Sequence, residues 1–140
     1  MMSSAIHIHA ASRGRHGSDD PSRWIEGVLG RSYQKFTPAN VWQPSVNICE
    51  DDTAYFVVAD LAGVSVESID LRLENRHLLL SGTRQMPAPP QCRSRPRLHV
   101  MEIDHGDFQR LIKLPPNVDP DGITANYKCG LLTIQIPKAR

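Results

Sequence analysis

The chain has little of most things that would commit it to a chemistry. Its formal net charge is only +1, so no strong field draws it to nucleic acid or to an anionic membrane. Aromatic residues make up 6% of it. They do not interleave with the basic stretch that holds Arg93, Arg95 and Arg97, as a single-strand-binding surface requires. No nucleic-acid partner is expected. Long apolar runs are missing too. The stretch at residues 55–59 is far too short to span a bilayer, and MMSSAIHIHA lacks the basic start and long apolar run of a signal peptide. No membrane partner is expected, and the cytoplasm is the expected location. Cysteine is scarce: Cys49, Cys92 and Cys129 are odd in number and lack metal-ligand spacing, which suits a reducing compartment. They are expected to be packing residues, with Cys92 in an exposed-looking segment open to oxidation. Phosphate-cradling Gly-x-x-x-x-Gly-Lys-Ser/Thr and nucleophile-elbow Gly-x-Ser-x-Gly spellings are both absent. His7 and His9 form a His-x-His pair with no further ligand nearby, so no metal role is assigned. The expectation is a protein that is not an enzyme and holds no cofactor.

What is present falls into two regions. Residues 1–41 are small, polar and basic, with little periodicity, and are expected to form a poorly ordered arm. One stretch within it has helical character. Asp20 suits an N-cap and Pro21 a first helical position. Trp24, Ile25, Val28 and Leu29 then share a face at helical spacing, and Gly27 and Gly30 weaken it. A short apolar helix is expected near residues 21–30. From Trp42 onward the period becomes two. Val46 and Ile48, residues 55–61, then Ile69, Leu71 and Leu73, and residues 78–80 read as strands. Leu98, Val100 and Ile103 make a further candidate. Residues 108–114, the trio Ile123, Ala125 and Tyr127, and the trio Leu132, Ile134 and Ile136 complete the series. Turn residues punctuate each run, so an all-β sandwich is expected. The stretch TRQMPAPPQCRSRPR, residues 83–97, is too rich in proline for a central strand and is expected to be a long functional loop.

Four segments in order carry a family resemblance. They are Trp42-Gln43-Pro44 with Val46-Asn47-Ile48, then DLAGVSVESIDLRLENRHLLLSG, then HGDFQRLIKLPPNVDPDGITA, and finally Ala125 through Leu132 with Leu131 where valine is usual. Together they resemble the α-crystallin domain of the small heat-shock protein family, of its long-loop bacterial and plant kind. The resemblance spans residues 42–138. Two positions depart from the pattern. Ala62 stands where proline is usual. Cys129 stands where asparagine commonly precedes the glycine, and since cysteine tolerates positive φ poorly, another turn type is expected there.

The resemblance implies an immunoglobulin-like sandwich and ATP-independent holding of unfolding client proteins, which ATP-dependent refolding chaperones then receive. It also implies a dimer made by strand exchange, the loop strand at residues 97–103 pairing with residues 42–46 of a second copy, and larger oligomers built from such dimers. Trp42, Val46, Leu98, Val100 and Arg110 are the implied dimer contacts. Arg110 shares a strand face with Phe108, Ile112 and Leu114, and a buried guanidinium there needs a carboxylate partner; the competing reading is a half-exposed, snorkelling side chain. Trp24, Ile25, Val28, Leu29, Tyr33 and Phe36 are the expected client-binding and assembly contacts of the arm. Alignment with the family also places a groove between residues 69–74 and 123–128, with Leu71, Leu73, Ile123 and Ala125 as its lining.

Members usually continue past the last strand into a tail whose Ile-x-Ile/Val pair plugs a neighbour's groove. Here Ile134-Gln135-Ile136 has that spelling inside the last strand and is expected to be core. Only Lys138, Ala139 and Arg140 follow Pro137, so that link is expected to be missing. Ile6-His7-Ile8 has the same spacing and is expected to dock in the groove instead, with a disordered terminus as the alternative. The competing functional reading is an adaptor like the CS-domain co-chaperones, which binds one specific chaperone.

Overall fold

The computed structural model describes residues 4–10, 41–92 and 96–140. Nine strands run through them: β1 Ser4–Ile6, β2 Ile8–Ala10, β3 Val46–Glu50, β4 Ala54–Asp60, β5 Asp70–Glu74, β6 His77–Arg84, β7 Gly106–Lys113, β8 Thr124–Lys128 and β9 Leu131–Pro137. Short 3-10 turns at Val66–Ser68 and Pro120–Gly122 precede β5 and β8. Two sheets result, in the orders β1-β8-β9-β4-β3 and β2-β5-β6-β7. They form an immunoglobulin-like β-sandwich. The expected helix near residues 21–30 lies outside the described residues.

The core sits where the period of two places it. Val57, Ala59, Leu132, Ile134 and Ile136 face inward from one sheet, and Leu71, Leu78, Leu80, Phe108 and Ile112 from the other; all are buried. The pair Ile134 and Ile136 is core, as its position in β9 requires. Phe108 fits because Gly82, opposite it in the β6–β7 ladder, has no side chain. A Cβ at residue 82 would stand 2.6 Å from the Phe108 ring and 2.7 Å from the Ser68 carbonyl.

Two hairpin turns are left-handed. Asn75 and Arg76 join β5 to β6 at φ 50° and 62°, and Cys129 and Gly130 join β8 to β9 at φ 54° and 76°. The expected change of turn type at Cys129 does not occur. The cause is Gly130: its carbonyl accepts from Leu61 N at 2.8 Å, and a Cβ there would lie 2.9 Å from Ala62 Cα. This clamp sets the turn, and Cys129 adopts a conformation that costs a side chain of its kind about 1–2 kcal/mol.

Three further expectations are corrected. Residues 4–10, placed in an irregular arm, are strands, because two sheet edges offer them hydrogen-bond partners. Residues 97–103, read as a strand, form none within this chain, for no edge of this chain pairs with them. The cysteines are exposed rather than packed, on an edge strand, a loop and a turn.

Candidate functional site

A β-sandwich made from open sheets has two open sides, and candidate sites occupy both. On the first side β5 and β8 are adjacent edges of opposite sheets. Ile69, Leu71, Ile123 and Ala125 turn inward between them, and Leu73 is half-buried beside them. Residues 4–10 cover both edges at once. β1 runs antiparallel to β8, with Ile6 opposite Ala125. The chain then changes sheets at His7, and β2 runs parallel to β5, with Ile8 opposite Leu71. Ile6 and Ile8 are half-buried against the core, while Ala5, His7 and His9 alternate outward to solvent. The four groove positions named from the sequence are thus brought together with Ile6 and Ile8.

Polar contacts around this side are sparse and mostly exposed. His9 Nε2 lies 3.5 Å from Asp70 Oδ1, and Arg72 Nε lies 2.9 Å from Asp70 Oδ2. The His7 and His9 rings meet edge to face at 5.4 Å. Exposed pairs of this kind are worth little, so apolar contact and ladder bonds hold the segment. Tyr127 braces the floor. Its hydroxyl sits 2.8 Å from the Leu61 carbonyl and 2.9 Å from that of Val64, sharing one proton between them. Burial pushes this phenol above its ordinary pKa. Its place in the alternation marks Tyr127 as inward-facing, but nothing in the sequence names those carbonyls.

The second side is the β7 edge. Trp42 lies along it as a parallel bridge to Phe108. Its N–H donates to Asp107 O at 3.2 Å, and its carbonyl accepts from Gln109 N at 3.0 Å. Its indole N–H donates to Gly106 O at 3.0 Å, and its ring centre is 5.1 Å from that of Phe108. The Arg84 guanidinium stacks 4.3 Å above the Trp42 ring, an attraction between cation and ring face. Arg84 is fixed by donating to Asp104 O at 2.8 Å and to Ala62 O at 3.2 Å. The sequence reading did not single out Arg84. Its only signal was a long basic side chain at the mouth of the proline-rich loop.

Around Trp42 this side is unfinished. Leu98, Val100, Met101 and Ile103 are exposed, Val100 to 73%. Met101 and Ile103 border an open depression with Val41 and Trp42. Val46 is half-buried on the outer strand β3. Arg110, half-buried, donates from one terminal nitrogen to Pro44 O at 3.2 Å, while its buried Nε has no partner. No carboxylate pairs with it among the described residues. Burial pulls this guanidinium below its ordinary pKa. Leaving a buried donor unmatched costs about 1–3 kcal/mol, more when it is charged.

Trp24, Ile25, Val28, Leu29, Tyr33 and Phe36 lie outside the described residues. Also among the described residues, no cluster of three or more His, Cys, Asp or Glu side chains is arranged to hold a metal ion. No helix there is long and apolar enough to cross a membrane.

Comparison with known proteins places this architecture. A family model described as the Hsp20/alpha crystallin family matches residues 47–140. The chain is 28% identical over 130 residues to small heat shock protein C4 of Rickettsia felis, covering 93% of this chain and 78% of that protein. It is 32% identical over 120 residues to 18 kDa antigen 2 of Mycobacterium avium, with coverages of 86% and 78%. Among solved structures it resembles a small heat-shock protein from Xylella fastidiosa, described as having a distinct high order structure. The TM-score is 0.61 at 32% identity, over 71% of this chain and 88% of that one.

Proposed function

The chain belongs to the Hsp20/alpha crystallin family, and from that premise we propose that it is an ATP-independent holdase, which binds partly unfolded proteins under stress and keeps them from aggregating. The observation that carries the reading is the unfinished side of the sandwich. Met101 and Ile103 are exposed and border an open depression with Trp42, and Leu98 and Val100 of the same segment are exposed as well. Large apolar side chains left exposed in one segment mark an interaction site. The arm residues Trp24, Ile25, Val28, Leu29, Tyr33 and Phe36 add client contacts. Each large apolar side chain supplies roughly 1.5–3 kcal/mol on burial, so one arm binds weakly and several in one assembly bind tightly. The family match favours this reading over a partner-specific adaptor. Holding needs no catalysis, and on this reading the protein works in the cytoplasm and hands clients to ATP-dependent refolding chaperones.

The working unit is a dimer with residues 42–138 as its domain, and larger oligomers follow from it. Trp42 uses one edge of its own backbone on β7. A strand has two edges, and the other is the place for residues 97–103 of a second copy. The seam then takes in Trp42, Val46, Leu98 and Val100. It also brings a carboxylate to Arg110, whose unmatched Nε supports this arrangement. On the opposite side, Leu71, Leu73, Ile123 and Ala125 form the assembly groove, with Ile6 and Ile8 as its docking pair.

The test is light scattering from a heat-labile client protein heated without ATP. Near-stoichiometric amounts of this protein should suppress the scattering. Unsuppressed scattering, with the protein itself folded and assembled, would overturn the holdase reading.

A further inference from the structure

The outward face of residues 4–10 carries a chemistry that the apolar inward face does not. His7 and His9 are both exposed there. His7 is the residue at which the chain changes sheets, and His9 lies in β2. The sequence offers this pair no third polar group nearby, but the fold brings one. β2 runs parallel to β5, with His9 opposite Arg72, and Asp70 of the same strand comes up beside it. His9 Nε2 lies 3.5 Å from Asp70 Oδ1. Arg72 Nε donates to the other oxygen, Oδ2, at 2.9 Å. That contact fixes the carboxylate and leaves Oδ1 to the imidazole.

The two rings stand 5.4 Å apart, centre to centre. An ion bonded to one nitrogen of each imidazole at about 2.0–2.1 Å separates the ring centres by roughly 4.5–5.5 Å. The spacing for a shared ion is therefore present. The rings meet at 84°, and turning an exposed imidazole about χ2 to aim its nitrogen is a soft motion. The His9 side chain is 59% exposed, so water has room to complete the coordination. Among the described residues no third His, Cys, Asp or Glu converges with the pair as a ligand. Asp70 is left with a different part, behind the ligand rather than on the ion.

From this arrangement we infer that His7 and His9 form a two-imidazole site for a divalent late transition-metal ion, with Asp70 as the carboxylate that orients His9. Imidazole suits Cu2+, Ni2+ and Zn2+, whereas Mg2+ and Ca2+ take oxygen ligands. His9 donates Nε2–H to Asp70 and presents Nδ1 to the ion, the tautomer that a carboxylate behind a metal-bound histidine fixes. Two protein ligands completed by water hold an ion reversibly, and Cu2+ is held tightest of the three. A bound ion ties His7, where the chain crosses between sheets, to β2. The site is independent of client holding, so either reading can fail without the other.

The test titrates the full chain with Cu2+ by isothermal calorimetry. A background of Cys49→Ser, Cys92→Ser and Cys129→Asn keeps thiols from binding or reducing the ion. Electron paramagnetic resonance counts the imidazole nitrogens on the bound ion, and circular dichroism checks that each variant is folded. The tightest site should hold one ion through two imidazole nitrogens. His7→Gln and His9→Gln should each weaken it at least about tenfold, because each breaks the chelate, and His99→Gln should change nothing. Asp70→Asn should weaken binding about tenfold with the nitrogen count still at two, as loss of an orienting carboxylate does. Binding that is equally tight without His7 or His9, or none at submillimolar Cu2+, would overturn the site. Unchanged affinity in Asp70→Asn would overturn the orienting role of the carboxylate.

Discussion

The two open sides of the sandwich meet the same problem in different ways. At the β5–β8 side, backbone edges and apolar side chains are covered by seven residues of the same chain. At the β7 side, Trp42 covers one stretch of edge, and among the described residues Arg110 Nε is left without a partner while Met101 and Ile103 stay exposed beside Trp42. An unpaired edge is a liability that must be covered or paired. Among the described residues one side is thus covered, and the other is left open. The difference separates an edge that the chain covers for itself from one that, in our proposal, a second copy completes.

The harshest way to break the comparison is to remove what both sides share. Phe108→Ala empties the centre of the core beneath Trp42 and should cost about 3–5 kcal/mol. Urea unfolding should show a large fall in midpoint, and both sides should be lost together. Arg110→Glu acts on the unfinished side alone. Setting an acid against the acid proposed for the seam should convert dimers to monomers, read by sedimentation equilibrium, with near-ultraviolet dichroism retaining a folded sandwich. A dimer that persists unchanged would show that the seam does not use Arg110.

The opposite side is probed by Ile6→Ser/Ile8→Ser. Amides of β5 and β8 should exchange with solvent faster, while those of β4 and β9 keep their protection. The expected loss is about 1–3 kcal/mol, because both isoleucines are only half-buried. Away from both sides, Cys129→Asn relieves part of the left-handed turn cost and should raise the melting temperature slightly, about 0.5–1 kcal/mol in stability. The smallest effect concerns acid. Asp51 accepts from Thr53 N and Ala54 N at 2.7 and 2.8 Å, which lowers its carboxyl pKa below the ordinary value. A depressed folded pKa contributes stability above the unfolded pKa that fades as pH falls through the folded one. Asp51→Asn should therefore lower stability slightly at neutral pH, flatten the acid limb of the urea-unfolding profile, and leave stability unchanged at low pH, where the Asp51 carboxyl is protonated in either state.

How legible each part was follows from where its cause lies. The strands from residue 46 onward were readable because a period of two is written locally in residue type. Val57, Leu71, Ile134 and Ile136 declare their face by their neighbours. The groove was readable only by resemblance, since its walls, 71–73 and 123–125, are distant in sequence. The spacing of Ile6 and Ile8 was visible, but not that the chain changes sheets at His7, because that depends on two edges meeting in space. Residues 97–103 looked like a strand from the spacing of Leu98 and Val100. In this chain they find no edge, and alternation without a partner does not make a ladder. Cys129 misled in the other direction. Its side chain argued against positive φ, but Gly130 packed against Ala62 dictates the turn. Arg84 over Trp42 was invisible, for nothing local links residues 42 and 84.

The pairing of Ser4 with Tyr127 also has a consequence in time. Contacts between residues so far apart in sequence are slow to form, because the loop entropy is lost before the contact repays it. During synthesis, residues 4–10 emerge well before β8 exists to receive them. The nascent chain therefore carries Ile6 without its partner strand until β8, near the end of the sequence, has been made, whereas Ile8 can meet β5 about halfway through.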